Sequence, residues 1–380
     1  MKKNITILGG GIAGLSTAIA LKNAGIETLV FEAAPKIKAV GAGLGLGANA
    51  IKAFKVLGID EAVINAGRFL PAFTVYDEKG KQIARTDSVS ISKKYGLDNF
   101  TIHRADLHAL LLSKINPVCI KTNKRVTGIE QNEGNIILHF QDGTLHETDY
   151  LIAAEGIHSV VRKYVLSDSK PRYAGYTCWR AVIDNSNLQL NECSETWGAK
   201  GRFGIVPLAG NKIYWFACVN TVANNTVMKN YTIQDLQKQF AGYHHPVEAI
   251  LKATKNENLI WNDINDIKPI NRYAFNNILL IGDAAHATTP NLGQGACQAV
   301  EDAVMLAAAI KSNSDLTLAF KKFEQRRLKR THWIVNTSWR IGKIAQLENK
   351  FLIRCRNFLF RNLPKRVNEK QFTKIYTTDF

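Results

Sequence analysis

The chain has 380 residues, 46% of them hydrophobic, so it can bury a sizeable core and has the length for two intertwined domains and a tail. Its formal net charge is +17, unevenly spread: residues 321–380 hold 16 Lys/Arg against 4 Asp/Glu, a net +12. No apolar run reaches the length of a membrane span, and no internal repeat or low-complexity tract occurs. Six scattered cysteines (Cys119, Cys178, Cys193, Cys218, Cys297, Cys355) lack CxxC spacing. That argues against a zinc site or a disulfide framework and fits reduced thiols in a cytoplasmic protein.

Lys2 and Lys3 precede an apolar stretch, as in a signal peptide. The glycine triplet inside it, the polar Lys22-Asn23 and the lack of a small-residue cleavage site argue otherwise. Ile5–Leu8 reads instead as a strand, followed at once by Gly9-Gly10-Gly11-Ile12-Ala13-Gly14 and a helical pattern to Ala24 that Gly25 is placed to cap. Thr28–Phe31 is the next strand, and Glu32 closes it, 18 residues beyond Gly14. In this context Gly9 allows a tight turn, Gly11 lets backbone approach a pyrophosphate, and Gly14 permits close helix–strand packing. Ile12 and Ala13 open the helix whose N-terminus attracts phosphate, and Glu32 can hold a ribose diol.

Further along, Thr101–Leu107 leads into a helix through Leu112, with Arg104 at its start facing the expected cofactor. Ile136–Phe140 and Leu145 flank a turn. Tyr150–Ala154 is a buried strand of the parallel-sheet kind, ending at Glu155-Gly156, with Ser159, Val160 and Arg162 on the next helix. From Tyr173 the texture changes to longer strands: Thr177–Ile183, then Phe203–Pro207 and Lys212–Ala217 as a hairpin around Gly210-Asn211. Gly282-Asp283-Ala284-Ala285-His286 then precedes Gly293-Gln294-Gly295, which opens a long helical pattern. Two separated grips suit one large dinucleotide held at both ends, FAD rather than a loosely held nicotinamide. No second strand–GxGxxG–helix unit occurs.

The fold expectation is α/β: a Rossmann-like FAD-binding domain (1–72, 101–170, 263–330), an inserted antiparallel-sheet substrate domain (73–100, 171–262) and a basic C-terminal helical tail (331–380). In that tail, Phe351–Arg361 mixes apolar and basic residues at helix-compatible spacing. It suits an anionic membrane surface or a partner; a helix packed on the core with a solvated basic face is the plainer expectation. No motif supports nucleic-acid binding.

These segments together resemble the single-component FAD-dependent monooxygenases, the aromatic-hydroxylase type with the para-hydroxybenzoate hydroxylase fold. The resemblance runs from Ile5 to about Leu306. It rests on Gly9–Gly14 with Glu32, on Leu151–Arg162 and on Ile281–Asp302, with weaker support from Gly41–Leu46, His103–Leu107 and Tyr173–Arg180. It implies that Asp283 binds the ribityl chain, that the helix opened by Gly293 and Gly295 faces the flavin pyrimidine ring, and that Pro290 lies beside the flavin edge where oxygen reacts. It also implies reduction by NADPH or NADH, reaction with O2 to a C4a-hydroperoxide, and oxygen transfer to a small aromatic, heteroaromatic or conjugated substrate. Arg202 and Tyr214 match positions that face the ligand in relatives acting on small heteroaromatic rings, with Arg180 and Trp215 as further candidates. His286 reads as part of the turn. Glu155-Gly156 stands where the family usually has Asp-Gly, which puts the identity of the reductant in question.

Overall fold

The computed structural model describes residues 3–36, 42–132 and 134–380; Gly41, part of one resemblance segment, lies outside them. Its first layer grows from β1 (Ile5–Leu8), α1 (Ile12–Asn23) and β2 (Leu29–Phe31). Helix α1 is apolar nearly all round and buried from Ala13 to Leu21, as expected of a helix between a sheet and other helices. It ends one residue before the expected limit, where Gly25 takes the left-handed conformation (φ 79°) that glycine adopts at no steric cost.

Beyond it come β3 (Gly43–Leu46), β4 (Ala72–Asp77), β5 (Gln82–Asp87), α2 (Arg104–Ser113), β6 (Ile120–Lys121) and β7 (Tyr150–Ala153). The long strands β8 (Pro171–Asp184), β9 (Cys193–Gly198), β10 (Gly201–Leu208), β11 (Lys212–Asn220) and β12 (Ile260–Ile267) follow. The chain then returns through β13 (Ala274–Phe275) and β14 (Ile278–Leu280) to four helical segments: α3 (Gly295–Lys311), α4 (Leu316–Ala345), α5 (Lys350–Arg361) and α6 (Lys365–Tyr376).

Six strands form one sheet in the order β13-β14-β7-β1-β2-β6, parallel except at the β13 edge. Because β1 pairs with β7 and β7 with β14, three distant stretches of chain meet in this sheet, and its core is shared by α1 and α3. The second sheet has seven strands in the order β12-β8-β11-β10-β9-β4-β5. It was expected to be antiparallel, and most of it is. The exception is β9 beside β4, which run parallel because the chain enters the sheet twice and the two visits join side by side. Strand β4 runs unbroken from residue 72 into 73, β12 through residue 262 and α4 through residue 330, so these three expected domain limits fall inside continuous elements.

Period-two alternation gives the second sheet two distinct faces. Trp179, Ala181, Phe203, Ile205, Trp215 and Ala217 point to one side and pack on short helices carrying Ile233, Leu236, Ile250 and Leu251. Tyr176, Cys178, Arg180, Arg202, Tyr214, Phe216 and Cys218 share the other side, facing the first domain.

A buried ion cluster joins the helices beneath the first sheet. Arg327 on α4 is fully buried and donates to Glu301 (Nη1–Oε2, 2.6 Å) and Asp302 (Nε–Oδ1, 2.6 Å) on α3. Arg330 adds two contacts to Glu301, each 2.6 Å. Burial alone would push Asp302 up, but His286 and Arg327 outweigh it and hold the carboxyl at about 2. A carboxylate held low contributes stability that is complete above the ordinary aspartate value and lost as pH falls through about 2. Replacing Arg327 by Met takes the shared cation from two buried carboxylates, leaving Glu301 to Arg330 and Asp302 to His286 and Gly282 N–H. We therefore expect a loss of about 3 kcal/mol in urea unfolding, with unfolding shifted to higher urea again as pH is lowered and those carboxylates take up protons. An unchanged midpoint at neutral pH would show that the cluster contributes no net stability.

Candidate cofactor and substrate site

Each glycine of the first loop meets a different constraint. Gly9 has φ 102°, and a Cβ there would lie 2.4 Å from the Ala154 carbonyl oxygen at the end of β7. A Cβ on Gly14 would lie 1.9 Å from the Gly9 oxygen. Gly11, by contrast, has no protein atom within 4 Å of that position. It caps α1 without a side-chain bond, leaving the first-turn N–H groups of Ile12 and Ala13 without intrahelical acceptors. Two glycines therefore serve packing, and the third opens the helix N-terminus to a phosphate.

Glu32 sits against this loop. Its Oε2 accepts from Gly10 N–H at 2.7 Å and its Oε1 from Ala34 N–H at 2.8 Å, which fixes the carboxylate at the end of β2. His108 braces the same turn from α2, its Nε2 lying 2.7 Å from the Gly10 oxygen. Sequence reading missed His108, although it stands one helical turn beyond Arg104, on the same face. Arg104 is exposed at the start of α2 and lies near enough to Asp283 to pull that carboxyl's pKa down.

The second grip is a turn at Gly282 (φ 55°), where a Cβ would meet Ala13 of α1 at 2.7 Å. This contact brings the two grips together. Asp302 fastens the turn by accepting from Gly282 N–H at 2.8 Å and by its contact with His286 Nε2 at 2.7 Å. His286 is thus part of the framework. The exposed Asp283 side chain opens to the cleft; the surrounding protein pushes its carboxyl up, against the pull of His286, Arg104 and Arg162. Downstream, Gly293 is left-handed (φ 62°), and α3 begins at Gly295 with no side chain capping its N–H groups. Space around Gly295 is open except for a Thr288 methyl at 4.0 Å. Two uncapped helix N-termini and open backbone at Gly11 and Gly295 fit FAD.

Glu155, expected as a cofactor contact, holds the start of the next helix with one of its two carboxylate oxygens. Its Oε1 accepts from Ser159 Oγ at 2.7 Å and Val161 N–H at 2.9 Å, while Oε2 is buried with no hydrogen-bond partner. Its extra methylene, relative to Asp, lets the carboxylate fold onto the next helix. Burial raises its pKa, opposed by Val161, Ser159 and Arg162.

Pro290 is exposed and starts a short turn pinned from three sides. Asn291 Nδ2 donates to Thr289 Oγ1 and to the Ser338 carbonyl of α4, both 2.9 Å, and contacts Tyr176 Oη at 3.2 Å. A Cβ on Gly342 of α4 would collide with Asn291. Tyr176, Asn291, Ser338 and Gly342 were not singled out from sequence, because only the fold brings them together.

Tyr214 of β11 packs against β3, where a Cβ on Gly43 would come within 2.6 Å of its ring. Arg202 is buried, with its guanidinium 5.2 Å from the Tyr176 ring centroid. It donates to Gln346 Oε1 at 2.7 Å and to Glu195 Oε1 at 3.0 Å, so its charge already has a partner. Arg180 shares the face and donates to Asn262. Trp215 does not: it points into the far core, stacked on Phe203 and donating to Thr254 at 3.0 Å, as strand alternation requires of a neighbour of Tyr214.

Known proteins agree with this geometry. A family model described as FAD binding domain matches residues 2–315. Aurachin C monooxygenase/isomerase of Stigmatella aurantiaca is 36% identical over 364 residues, 95% of this chain and 95% of its own length. FAD-dependent urate hydroxylase of Klebsiella oxytoca is 32% identical over 334 residues, 87% of each chain. Among solved structures, Klebsiella pneumoniae HpxO complexed with FAD and uric acid superposes with a TM-score of 0.91 at 28% identity, over 98% of this chain and 96% of that one.

The contrast between the glycines is testable. Gly11→Ala should fold with near-normal thermal stability yet bind FAD at least about tenfold more weakly, since its methyl enters only the phosphate's space. Gly14→Ala should lose both stability and FAD. Equal FAD affinities for Gly11→Ala and the parent, by fluorescence titration, would remove the phosphate from this loop.

Proposed function

The chain belongs to the FAD binding domain family and is an FAD-dependent monooxygenase; from that premise we propose that NADPH or NADH reduces it and that its oxygen acceptor is a small, electron-rich aromatic or heteroaromatic ring without a carboxylate. In this reading Gly11 and the N–H groups of Ile12 and Ala13 meet the pyrophosphate, in the turn that Gly9 and Gly14 shape by packing; Glu32 holds the adenosine ribose and Asp283 the ribityl hydroxyls, with Arg104 beside it. The N-terminus of α3, opened by Gly293 and Gly295, meets the flavin ring. Bound FAD supplies the redox chemistry, accepting a hydride from the nicotinamide and delivering electrons to O2.

The protein's own contribution is electrostatic and positional. Helix α3 stabilises negative charge that gathers on the flavin ring. The turn at Pro290 keeps a rigid, apolar edge beside the reacting atoms. One observation carries the substrate reading: Arg202 is held by Glu195, so the pair adds little net charge to the wall it shares with Tyr214, Tyr176 and Phe216. A compensated guanidinium presents a donor to a ring carbonyl or hydroxyl, but it attracts a free carboxylate weakly. Burial pushes the Tyr214 phenol well up, which keeps it protonated at neutral pH and makes it a hydrogen-bond donor. The aromatic wall excludes water from the reaction. We propose a cytoplasmic location, with the basic tail as the region that meets a surface.

The test is anaerobic mixing with NADPH or NADH, followed by 18O2 and a panel of 4-quinolones, urate and carboxylated benzoates. We expect one 18O atom in the product, and stimulation of NAD(P)H oxidation by the quinolones and urate, which lack a carboxylate, above that by benzoates. Oxygen derived from water would sink the proposal, and preference for benzoates would sink the substrate class. Arg202→Gln should retain FAD while losing at least about tenfold in substrate-stimulated turnover.

A further inference from the structure

Helix α5 is built inside out. Its inward side carries Arg356 and Asn357, both buried, and its outward side carries Phe351, Leu352, Phe358 and Leu359, exposed by 71%, 47%, 66% and 63%. At 3.6 residues per turn these four side chains and Cys355 fall on one arc of roughly 120°. Lys350, Arg354 and Arg361 fall together in a strip along one border of that arc, and all three are exposed. Lys350 and Arg354 have no salt bridge among the described residues, whereas Arg361 is paired with Asp77. Leu363 (37% exposed) and Val367 (47%) extend the apolar surface past the end of the helix. The plainer expectation, a solvated basic face, therefore describes only the border of the exposed side.

The helix cannot bury this face by rolling. Arg356 donates to the carbonyls of Ile344 (3.2 Å), Ala345 (3.1 Å) and Trp197 (3.3 Å). Phe360 packs edge-on against Trp197, and Arg361 donates to Asp77 (2.7 Å) and the Gln82 carbonyl (2.9 Å). These contacts lock α5 onto β4, β5 and β9 and hold the apolar arc outward.

We propose that α5 docks the enzyme on an anionic lipid bilayer, with Phe351, Leu352, Phe358 and Leu359 among the acyl chains and Lys350 and Arg354 at the headgroups. Phenylalanine and leucine beside a strip of Lys/Arg, on a short helix lying flat, is the pattern of an interfacial anchor. Charge complementarity selects the lipid: residues 321–380 carry 16 basic against 4 acidic groups. Protein interfaces are depleted in lysine, whereas Lys350 borders this face with no salt bridge among the described residues. No helix among the described residues is long and apolar enough to cross a membrane, so the contact is with one surface. The anchor also packs on the same sheet face as the Arg202–Tyr214 wall, so the helix that meets the lipid lies on the sheet that carries that wall.

The experiment is co-sedimentation of the full-length, FAD-loaded protein with vesicles of phosphatidylcholine alone or mixed equally with phosphatidylglycerol. The protein should pellet with the anionic vesicles and be released as ionic strength rises to about 1 M, where screening acts within about 3 Å. The double variant Phe358→Ser, Leu359→Ser should bind at least about tenfold more weakly, and Lys350→Glu, Arg354→Glu should weaken binding to anionic vesicles. Both should keep the parent's FAD content, because the altered side chains are exposed. Vesicle binding by the serine variant equal to the parent's would overturn the proposal. So would a parent that ignores vesicles but doubles its mass in solution through Phe358 and Leu359, which would assign the face to a second copy of the chain.

Discussion

The cofactor site depends on one buried interaction, that of Arg327 with Glu301 and Asp302. Asp302 also holds the Gly282 turn and His286, so a single carboxylate ties the second turn to helix α3. Glu301 reaches the other way, to Asn49, whose amide also donates to Gln294 just ahead of α3. Desolvating four ionic groups is costly and offers little net stability over an apolar core. The return is positional. Turn, helix start and helix body move as one unit, which a site holding both ends of a long cofactor requires.

The substrate wall is organised by similar logic with fewer charges. Gln346, at the end of α4, accepts from Arg202 and donates through its amide to Asn220, so helix and sheet share one polar joint. Gly342 and Ser338, one and two turns earlier, hold the Pro290 turn through Asn291. Helix α4 therefore lies along both walls of the cleft and sets their separation.

Much of this was legible in the sequence, for physical reasons that differ by feature. The first grip is local: strand, glycines, helix and acid lie within thirty residues and each is fixed by backbone sterics, so Gly9, Gly14 and Glu32 could be given tasks directly. The parity of β11 was equally available, since adjacent residues in a strand face opposite ways; Tyr214 and Trp215 could never both line one pocket. Glu301 and Asp302 stand as two acids within an apolar helix, but they were not singled out from sequence. Which of Arg326, Arg327, Lys329 or Arg330 supplied their cation depended on the angle between two helices. Glu155 was recognised as a departure from its family, but the direction its longer arm takes depended on Ser159 and Val161 around it. The α5 arc was seen as mixed; its inversion became visible only once Arg356 was found beneath it.

That β1 pairs with β7 and β7 with β14 has a consequence for how the protein comes into being. During synthesis the first grip emerges early, but its neighbour strand lies some 145 positions on, and the turn at Gly282 later still. At about 5–20 residues per second, the early βαβ unit waits roughly 7–30 s for β7, the strand that covers the open edge of β1. Until then the hydrophobic edge of β1 is open, and no partial chain can hold the cofactor at both ends. Once the last third arrives, ligand binding acts only on the finished assembly and draws the long-range contacts together by mass action. Supply of the cofactor to a newly made chain thus becomes a determinant of how much of it survives to maturity.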